Sequence, residues 1–289
     1  MKIYSLDFTS APTHRKPITC AVCELHEPHE SDECHKDNVL TMQESLTIPT
    51  FTVFEDFLRS DGPWLAALDF PFGQPRQLIT NLGWPAAWAD YMQLIAAMSK
   101  PEFEQTLTDY RESRLPGDKL HLRDTDRYAN ARSPMMLHRV PVGKMFFQGA
   151  PRLLTSGASI LPCRPTQSNR IVVEGYPALV ARKWLGKRSY KSDERGKQTP
   201  EQTSARRDLL TGLCSPALST HYDLRLAISD LLVDTLTNEP MGDALDALLC
   251  AIQAAWAYTQ RNNNYGIPLY CDKNEGWIVD PAMLLDGCT

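Results

Sequence analysis

The sequence has no long apolar run, no internal repeat and no low-complexity tract. No window approaches the ~20 consecutive apolar residues that a helix needs to cross a bilayer, and residues 1–10 lack the features of a signal peptide. Of the 289 residues, 22% are charged and 43% are hydrophobic, and the mean hydropathy is −0.34. This composition is ordinary for a globular chain, so we expect a soluble, cytoplasmic protein without membrane contact.

The cysteines do not form the dense framework of a disulfide-stapled protein. Eight are spread over the chain, and we expect most of them to be reduced packing residues. The exception is Cys20-x-x-Cys23, because further possible zinc ligands follow it: His26, His29, Cys34 and His35. Cys20 and Cys23 fall in a predicted strand, however, where their odd spacing sends the two side chains to opposite faces. We therefore favour a strand followed by a polar hairpin over a zinc site.

The net charge of −5 argues against a protein that coats nucleic acid without specificity. The basic residues are nevertheless concentrated, since residues 111–152 and 182–207 each contain nine Lys or Arg, which is 18 of the 30 in the chain. Such a concentration suits a ligand with a phosphate backbone. A solvated helical face is the alternative for any single residue in these segments, and the sequence leaves it open.

Apolar runs and alternation predict five strands, and 3.6-residue periodicity predicts several helices. The strands are predicted at 2–8, 18–25, 39–48, 64–69 and 171–174, and the helices at 51–58, 84–114, 177–185, 200–213, 222–236 and 242–260. Short links between the first three strands indicate an antiparallel meander. We expect one α/β domain over 1–289 with a helical and basic insertion at about 83–170, of which 115–170 is rich in Pro and Gly.

Carboxylates end three of these strands and begin the last helix. Asp7, Asp69 and Glu174 lie at strand ends, where open α/β sheets form their ligand sites. Asp243 and Asp246 are spaced i, i+3, so both project from one face of a helix that packs on the core. Partly buried carboxylates repel one another unless a cation neutralises them, and an all-oxygen site selects Mg²⁺ or Mn²⁺ over zinc. Two such ions can activate water and stabilise the leaving oxygen of a phosphodiester.

Each acid also has a purely structural interpretation. Asp69 precedes Pro71 and can be a turn former, and Asp7 can cap the end of its strand. Asp243 and Asp246 can be favoured by the positive end of their helix. A shared site explains all four acids in this order better than four separate structural roles.

The order of these acids resembles that of the RNase H-like superfamily. The segment Asp243-x-x-Asp246-Ala-Leu on the final helix is similar to the closing segment of the Holliday-junction resolvases. Three further segments resemble a domain-of-unknown-function family described as predicted RNase H-like nucleases: 68–75 (LDFPFGQP), 173–179 (VEGYPAL) and 275–278 (EGWI).

The resemblance implies a mixed sheet of five strands, with the second antiparallel to the rest, flanked by helices. It implies these site residues: Asp7, Asp69, Asp243 and Asp246 as metal ligands, and Glu174 as a further catalytic residue. The chain departs from the family at Ser5, since glycine often stands two residues before the first Asp. The insertion 115–170 has no counterpart.

A group of cations is predicted to bind the substrate. Lys191, with Arg195 and Arg206 or Arg207, resembles the family's Lys-then-Arg stretch before a helix, and a cation there can neutralise a phosphate. A plain surface loop is the alternative. We expect the insertion and the loop 186–199 to rim the pocket on which Asp7, Asp69 and Asp246 converge.

These observations predict a divalent-metal-dependent nuclease that hydrolyses nucleic acid or another phosphodiester with clustered carboxylates and Mg²⁺ or Mn²⁺. An actin-like phosphotransferase or ATPase is one alternative, because Asp7-Phe-Thr-Ser10 superficially resembles a phosphate loop. Those proteins need two such halves and a second Gly-rich loop, which this sequence lacks. A non-catalytic nucleic-acid- or protein-binding scaffold of the same fold is the other alternative.

Overall fold

The computed structural model describes residues 1–28 and 37–284, which contain seven strands and eleven α-helices. The strands are β1 (Lys2–Asp7), β2 (Ile18–His26), β3 (Asn38–Ile48), β4 (Trp64–Leu68), β5 (Ser159–Ile160), β6 (Arg170–Glu174) and β7 (Leu224–Ala227). The helices are α1 (Phe51–Arg59), α2 (Arg76–Asn81), α3 (Trp88–Ala97), α4 (Lys100–Glu112), α5 (Asp124–Ala129), α6 (Val142–Thr155), α7 (Pro177–Leu185), α8 (Pro200–Leu213), α9 (Ala217–Tyr222), α10 (Asp230–Asn238) and α11 (Asp243–Thr259). Strands alternate with helices after β3, so the fold is α/β.

The strands form one mixed sheet in the order β5-β6-β4-β1-β2-β3-β7. β2 runs antiparallel to β1 and β3, whereas the other neighbouring pairs are parallel. The predicted meander and the antiparallel second strand are therefore confirmed. The predicted count of five strands is wrong, because the short strands β5 and β7 extend the sheet at its two edges.

The predicted helix over 222–236 is also wrong. This stretch contains the end of α9, all of β7 and most of α10. β7 pairs in parallel with the start of β3, from Asn38 opposite Leu224 to Thr41 opposite Ala227. A run of four residues is too short for periodicity to separate a strand from a helix, so the pairing with β3 decides its conformation.

Two apolar cores lie on opposite faces of the sheet. β4 is buried throughout, with Leu65 and Ala67 in one core and Trp64, Ala66 and Leu68 in the other. This is the environment of a central parallel strand that is covered on both faces. Helix α11 crosses β1, β2 and β4 on the first face, which we call the α11 core. Helix α1 and helices of the insertion cover the second face, which we call the insertion core.

About half of the predicted insertion is helical. Residues 83–170 contain α3, α4, α5 and α6, and α3 contacts α6. Phe103 of α4 and Phe146 of α6 are buried in the insertion core with ring centroids 6.0 Å apart. The insertion therefore packs directly on one face of the sheet. Within the described residues, no helix combines the length and apolar character needed to cross a membrane.

Cys20 and Cys23 lie on opposite faces of β2, because Cys20 belongs to the insertion core and Cys23 to the α11 core. The two thiols therefore cannot share a zinc ion, which agrees with the argument from their spacing. His29, Cys34 and His35 lie outside the described residues. The six cysteines that the structure describes are all free.

Candidate active site

Three carboxylates meet at one edge of the sheet. Asp7 ends β1, Asp69 directly follows β4, and Asp246 lies in the first turn of α11. β1 and β4 are parallel neighbours, and the Asp69 N–H donates to the Leu6 carbonyl at 3.0 Å. One oxygen from each of the three carboxylates lies within 4.8 Å of the other two. We call these three residues the triad, and their convergence is the arrangement that the sequence predicted.

The packing of α11 against β1 brings Asp246 to the strand ends. Every residue of α11 from 243 to 257 is buried, which requires the close approach of the helix to the sheet. The Ser5 hydroxyl donates to the Ala247 carbonyl, which ties β1 to α11 one residue after Asp246. Glycine at position 5 has no side chain to make this bond, so Ser5 gives this chain an extra link between two of the elements that carry the triad.

Gly242 allows a neighbouring loop to reach the triad. Its φ of +71° is in the left-handed region that favours glycine, and a Cβ there would lie 3.0 Å from the Cβ of Lys191. The Lys191 ammonium forms an ion pair with Asp246. The Tyr190 hydroxyl donates to the other Asp246 oxygen at 2.5 Å. The loop between α7 and α8 thus supplies both a cation and a phenol to the triad.

Arg206 holds this loop and does not reach the triad. Its side chain is only 2% exposed, and its guanidinium donates to the carbonyls of Thr237 and Tyr190, both at 2.7 Å. The prediction that Arg206 contacts substrate is therefore corrected, because its donors are used inside the protein. By fixing the Tyr190 backbone, Arg206 positions the adjacent Lys191.

The remaining predicted cations lie on the surface. Arg195 is exposed in a short 3₁₀ turn, and Arg207 is exposed on α8. Within residues 1–28 and 37–284, neither side chain pairs with a triad carboxylate. Of the four predicted cations, the structure places Lys191 at the triad.

The other two predicted acids lie near the triad but outside it. Asp243 begins α11, and burial raises its pKa, although Lys191 acts in the opposite direction. Glu174 ends β6 and forms a buried ion pair with Arg123, at 2.6 Å. It also accepts a hydrogen bond from the Phe72 N–H at 3.0 Å. Glu174 therefore has a positioning role beside the site, since its oxygens are already engaged by Arg123 and Phe72.

The triad concentrates negative charge in a poorly solvated place. Burial raises the pKa of Asp7 well above its ordinary range, and burial together with the Asp246 charge raises the pKa of Asp69 from 3.8 to about 7. Burial lowers the pKa of Lys191, but the charges of Asp246 and Asp7 raise it more, so the ammonium stays charged. Without a metal, the crowded carboxyls reduce their repulsion by holding protons, and a divalent cation can take the place of those protons.

A family model described as "Protein of unknown function (DUF429)" matches residues 32–266. The chain belongs to the DUF429 family. The predicted resemblance to a domain-of-unknown-function family is therefore confirmed, and Asp69 and Asp246 lie within the matched residues, whereas Asp7 precedes them. Separate searches of curated proteins and of solved structures gave no match to this DUF429 protein.

A pocket of about 140 Å³ opens beside Asp69 in this DUF429 protein, and we call it the Asp69 pocket. Segment 68–75 contributes Asp69 and Phe70 to its lining, and segment 173–179 contributes Gly175 and Tyr176. The insertion supplies much of the remaining lining. The insertion thus borders the triad on the Asp69 side, and the loop 186–199 borders it on the Asp246 side. Both segments lie where the sequence predicted them.

Arg123 is a site residue that the sequence did not reveal. It is one of the basic residues of 111–152, yet its side chain is 1% exposed and forms ion pairs with Asp126 and Glu174. Its guanidinium also donates to the Glu275 carbonyl at 2.9 Å. Arg123 therefore joins the insertion to segments 173–179 and 275–278. The acid that follows it at i+3, Asp126, is the one sequence signal that points to an internal ion pair.

Tyr190 and Glu239 were also missed. Tyr190 could have been suspected because it precedes Lys191, but a tyrosine in a polar loop has no distinctive signal. Glu239 accepts a hydrogen bond from the Ala244 N–H at 2.9 Å and so caps the start of α11. Its position just before a helix is the pattern of an acid favoured by the helix dipole.

Proposed function

We propose that this DUF429 protein is an RNase H-like enzyme that hydrolyses phosphodiester bonds of nucleic acid with the help of Mg²⁺ or Mn²⁺. The triad carries the proposal, because Asp7, Asp69 and Asp246 present oxygens within 4.8 Å of one another. The sheet supports it, since β2 is antiparallel to both of its neighbours, as the RNase H-like resemblance implies. The free state of the six described cysteines suits a reducing compartment, and we include the cytosol in the proposal.

The residues present fit a hard divalent cation. All three triad donors are carboxylate oxygens, which favour Mg²⁺ or Mn²⁺ over softer metals. Burial makes their mutual repulsion costly, and Lys191 offsets only one of the charges. When bound, the metal would supply activation of water and stabilisation of the leaving oxygen. Asp7, Asp69 and Asp246 would hold it.

Residues of the chain have their own tasks in the proposed reaction. Lys191 is one-third exposed, so its ammonium can turn from Asp246 towards a phosphate oxygen of the substrate and neutralise it. Tyr190 holds one Asp246 oxygen through its hydroxyl and so fixes the direction of that carboxylate. Arg206 keeps both side chains in place by binding the Tyr190 carbonyl.

Cleavage of a panel of substrates tests the proposal directly. The purified protein is incubated with single-stranded and double-stranded RNA and DNA and with a four-way junction, each with Mn²⁺, Mg²⁺ or EDTA. We expect metal-dependent cleavage of at least one substrate. Metal binding without cleavage of any of them would favour the scaffold alternative, and metal-dependent hydrolysis of ATP alone would favour the actin-like one.

The Asp246→Asn variant tests whether Asp246 is a metal ligand or a structural residue. Asparagine keeps an acceptor for Tyr190 but removes the charge, which relieves repulsion from Asp7 and Asp69 and offsets the loss of the Lys191 pair. We expect a melting temperature in EDTA at least equal to that of the wild type, a smaller rise on adding Mn²⁺, and a loss of cleavage by orders of magnitude.

Asp230→Asn is the matched control, because Asp230 begins α10 and is exposed. It should keep the full response to Mn²⁺ and full cleavage. An Asp246→Asn protein that melts lower in EDTA and keeps the whole Mn²⁺-induced rise would show that Asp246 is structural, and the proposed function would then fail.

A further inference from the structure

The Asp69 pocket combines an apolar wall with one triad carboxylate. Phe70, Val142, Met145 and Ile278 supply apolar side chains to its lining, and Asp69 lies at its border. A ligand that enters the pocket would therefore place an apolar group against these side chains while another part of it lies next to the triad. The mechanism proposed above gives this pocket no task.

The charged groups deeper in the lining are already paired. Arg123 and Glu174 form a buried ion pair at 2.6 Å, and Asp126 completes the cluster at 2.8 Å from Arg123. These side chains are between 1% and 2% exposed. One guanidinium faces two carboxylates, so the cluster offers no positive charge to a ligand, and the interior suits an uncharged group better than a phosphate.

An available cation stands at the border of the same pocket. Arg132 lines the pocket and is exposed, and its guanidinium makes no hydrogen bond or ion pair with any residue that the structure describes. Tyr176 also lines the pocket, and its hydroxyl accepts from Arg182 at 3.1 Å, which leaves its own hydrogen free to donate. The border thus offers a cation and a hydroxyl donor to a polar or anionic group.

We propose that the Asp69 pocket receives one unpaired nucleobase of the strand whose phosphate lies at the triad, and that Arg132 contacts an adjacent phosphate. The inference rests on the proposed function and adds the class of substrate to it. A nucleobase has apolar faces for the wall formed by Phe70 and Met145, and it is attached to anionic groups on both sides. A base inside a duplex cannot enter without unpairing, so the substrate is single-stranded or has a base that leaves the stack.

A groove next to the Asp69 pocket has room for the continuing strand. A groove of about 520 Å³ is lined by Arg182, Lys187, Arg188 and Tyr190, and Tyr190 contacts Asp246. Lys187 is exposed, so its charge is available to a phosphate. Arg182 of the groove donates to the Tyr176 hydroxyl of the base pocket at 3.1 Å, so a strand can continue from the base pocket into this basic groove.

A pocket-filling variant and an abasic substrate test the proposal together. Val142→Trp fills the pocket from the first turn of α6, and Val53→Trp is the matched control, because Val53 lies in the first turn of α1 and is 43% exposed. Single-stranded oligonucleotides carry either a normal base or an abasic residue next to the cleaved bond. We expect the wild type and Val53→Trp to cleave the normal strand roughly tenfold or more faster than the abasic one. Val142→Trp should cleave both at the slower rate.

Two further measurements keep the outcomes separate. The Mn²⁺-induced rise in melting temperature should be the same in all three proteins, which shows an intact triad. If Val142→Trp does not fold, Arg132→Gln replaces it and should weaken binding of the strand while leaving the preference for a normal base unchanged.

Equal cleavage of normal and abasic strands by the wild type would overturn the base pocket and leave the nuclease proposal intact. If the wild type cleaves no nucleic acid, the proposed function fails, and binding decides the pocket. A single strand that carries 2-aminopurine should then change its fluorescence with the wild type and with Val53→Trp but not with Val142→Trp. Equal changes with all three proteins would overturn the pocket.

Discussion

At the scale of single residues, a proton and a divalent cation compete for the same carboxylate of Asp69. Its pKa is raised to about 7, so in the metal-free folded protein it binds a proton that the unfolded chain releases near pH 4. The folded state therefore holds more protons between about pH 4 and 7, and the contribution of Asp69 to metal-free stability falls as the pH rises through this range.

Asp69→Asn is expected to remove this pH dependence. In EDTA the melting temperature of the variant relative to the wild type should increase from pH 5 to pH 8, because the wild type carries a buried charge only at the higher pH. With Mn²⁺ at pH 8, the wild type should instead have the higher melting temperature, since the ionised Asp69 is then a metal ligand. Thermal melts of both proteins at the two pH values measure this.

The comparison between the two proteins cancels the titration of groups that do not interact with Asp69, but not that of Asp7, whose pKa the Asp69 charge helps to raise. A difference in melting temperature that stays constant from pH 5 to pH 8 in EDTA would show that Asp69 is ionised throughout this range. The explanation of the triad as a crowded, poorly solvated site would then be wrong.

At the scale of elements, the contact between the loop 186–199 and the start of α11 is the part of the site that should tolerate an added side chain least. Gly242 has a left-handed backbone and lies against the Lys191 side chain. Gly242→Ala should cost about 1 kcal/mol for the backbone conformation alone. The added methyl group should also displace Lys191 from Asp246.

Gly83→Ala is the matched control for this substitution. Gly83 also has a left-handed φ, of +63°, but an added Cβ would have no atom within 4 Å. Both variants should lose similar backbone stability. Only Gly242→Ala should show a larger Mn²⁺-induced rise in melting temperature, because Lys191 competes less for Asp246, together with slower cleavage. Identical metal responses in the two variants would exclude Lys191 as a competitor for the site.

The strands show which secondary-structure elements a local sequence pattern can predict. Long strands such as β2 and β3 and the buried run of β4 were predicted from their apolar patterns. Burial on one face produces alternation of apolar and polar residues, and burial on both faces produces a continuous apolar run. β7 was not, because its four residues become a strand only through pairing with β3. Short edge strands of this kind depend on the neighbour more than on their own residues.

At the scale of the whole molecule, this acidic protein places basic residues near the triad. The net charge is −5, yet Arg132 lines the Asp69 pocket and Lys187 lines the adjoining groove. Binding of a single strand with Ca²⁺ in place of Mg²⁺ should therefore weaken as the salt concentration rises, through release of counterions. Lys187→Gln should reduce the slope of log K against log salt concentration by about 1.

Lys2→Gln provides the control, because Lys2 is exposed at the opposite end of β1 from Asp7. It removes the same charge from the molecule and should leave the slope unchanged. Equal effects of the two substitutions would mean that only the net charge matters and that the basic groove does not bind the strand.

The sequence by itself determined five of the seven strands, that β2 turns back against β1, and that Asp7 and Asp69 stand at strand ends and Asp246 at the start of the last long helix. These features are local, because they follow from the apolar pattern of each segment and from the order of the segments along the chain. The tertiary structure alone decided which charged residues are used inside the protein. Arg123 pairs with Glu174 across 51 positions, and Lys191 meets Asp246 across 55. The residue type is the same whether a guanidinium or carboxylate lies in a surface loop or in a buried ion pair. Its role is therefore determined only by the groups that folding brings next to it.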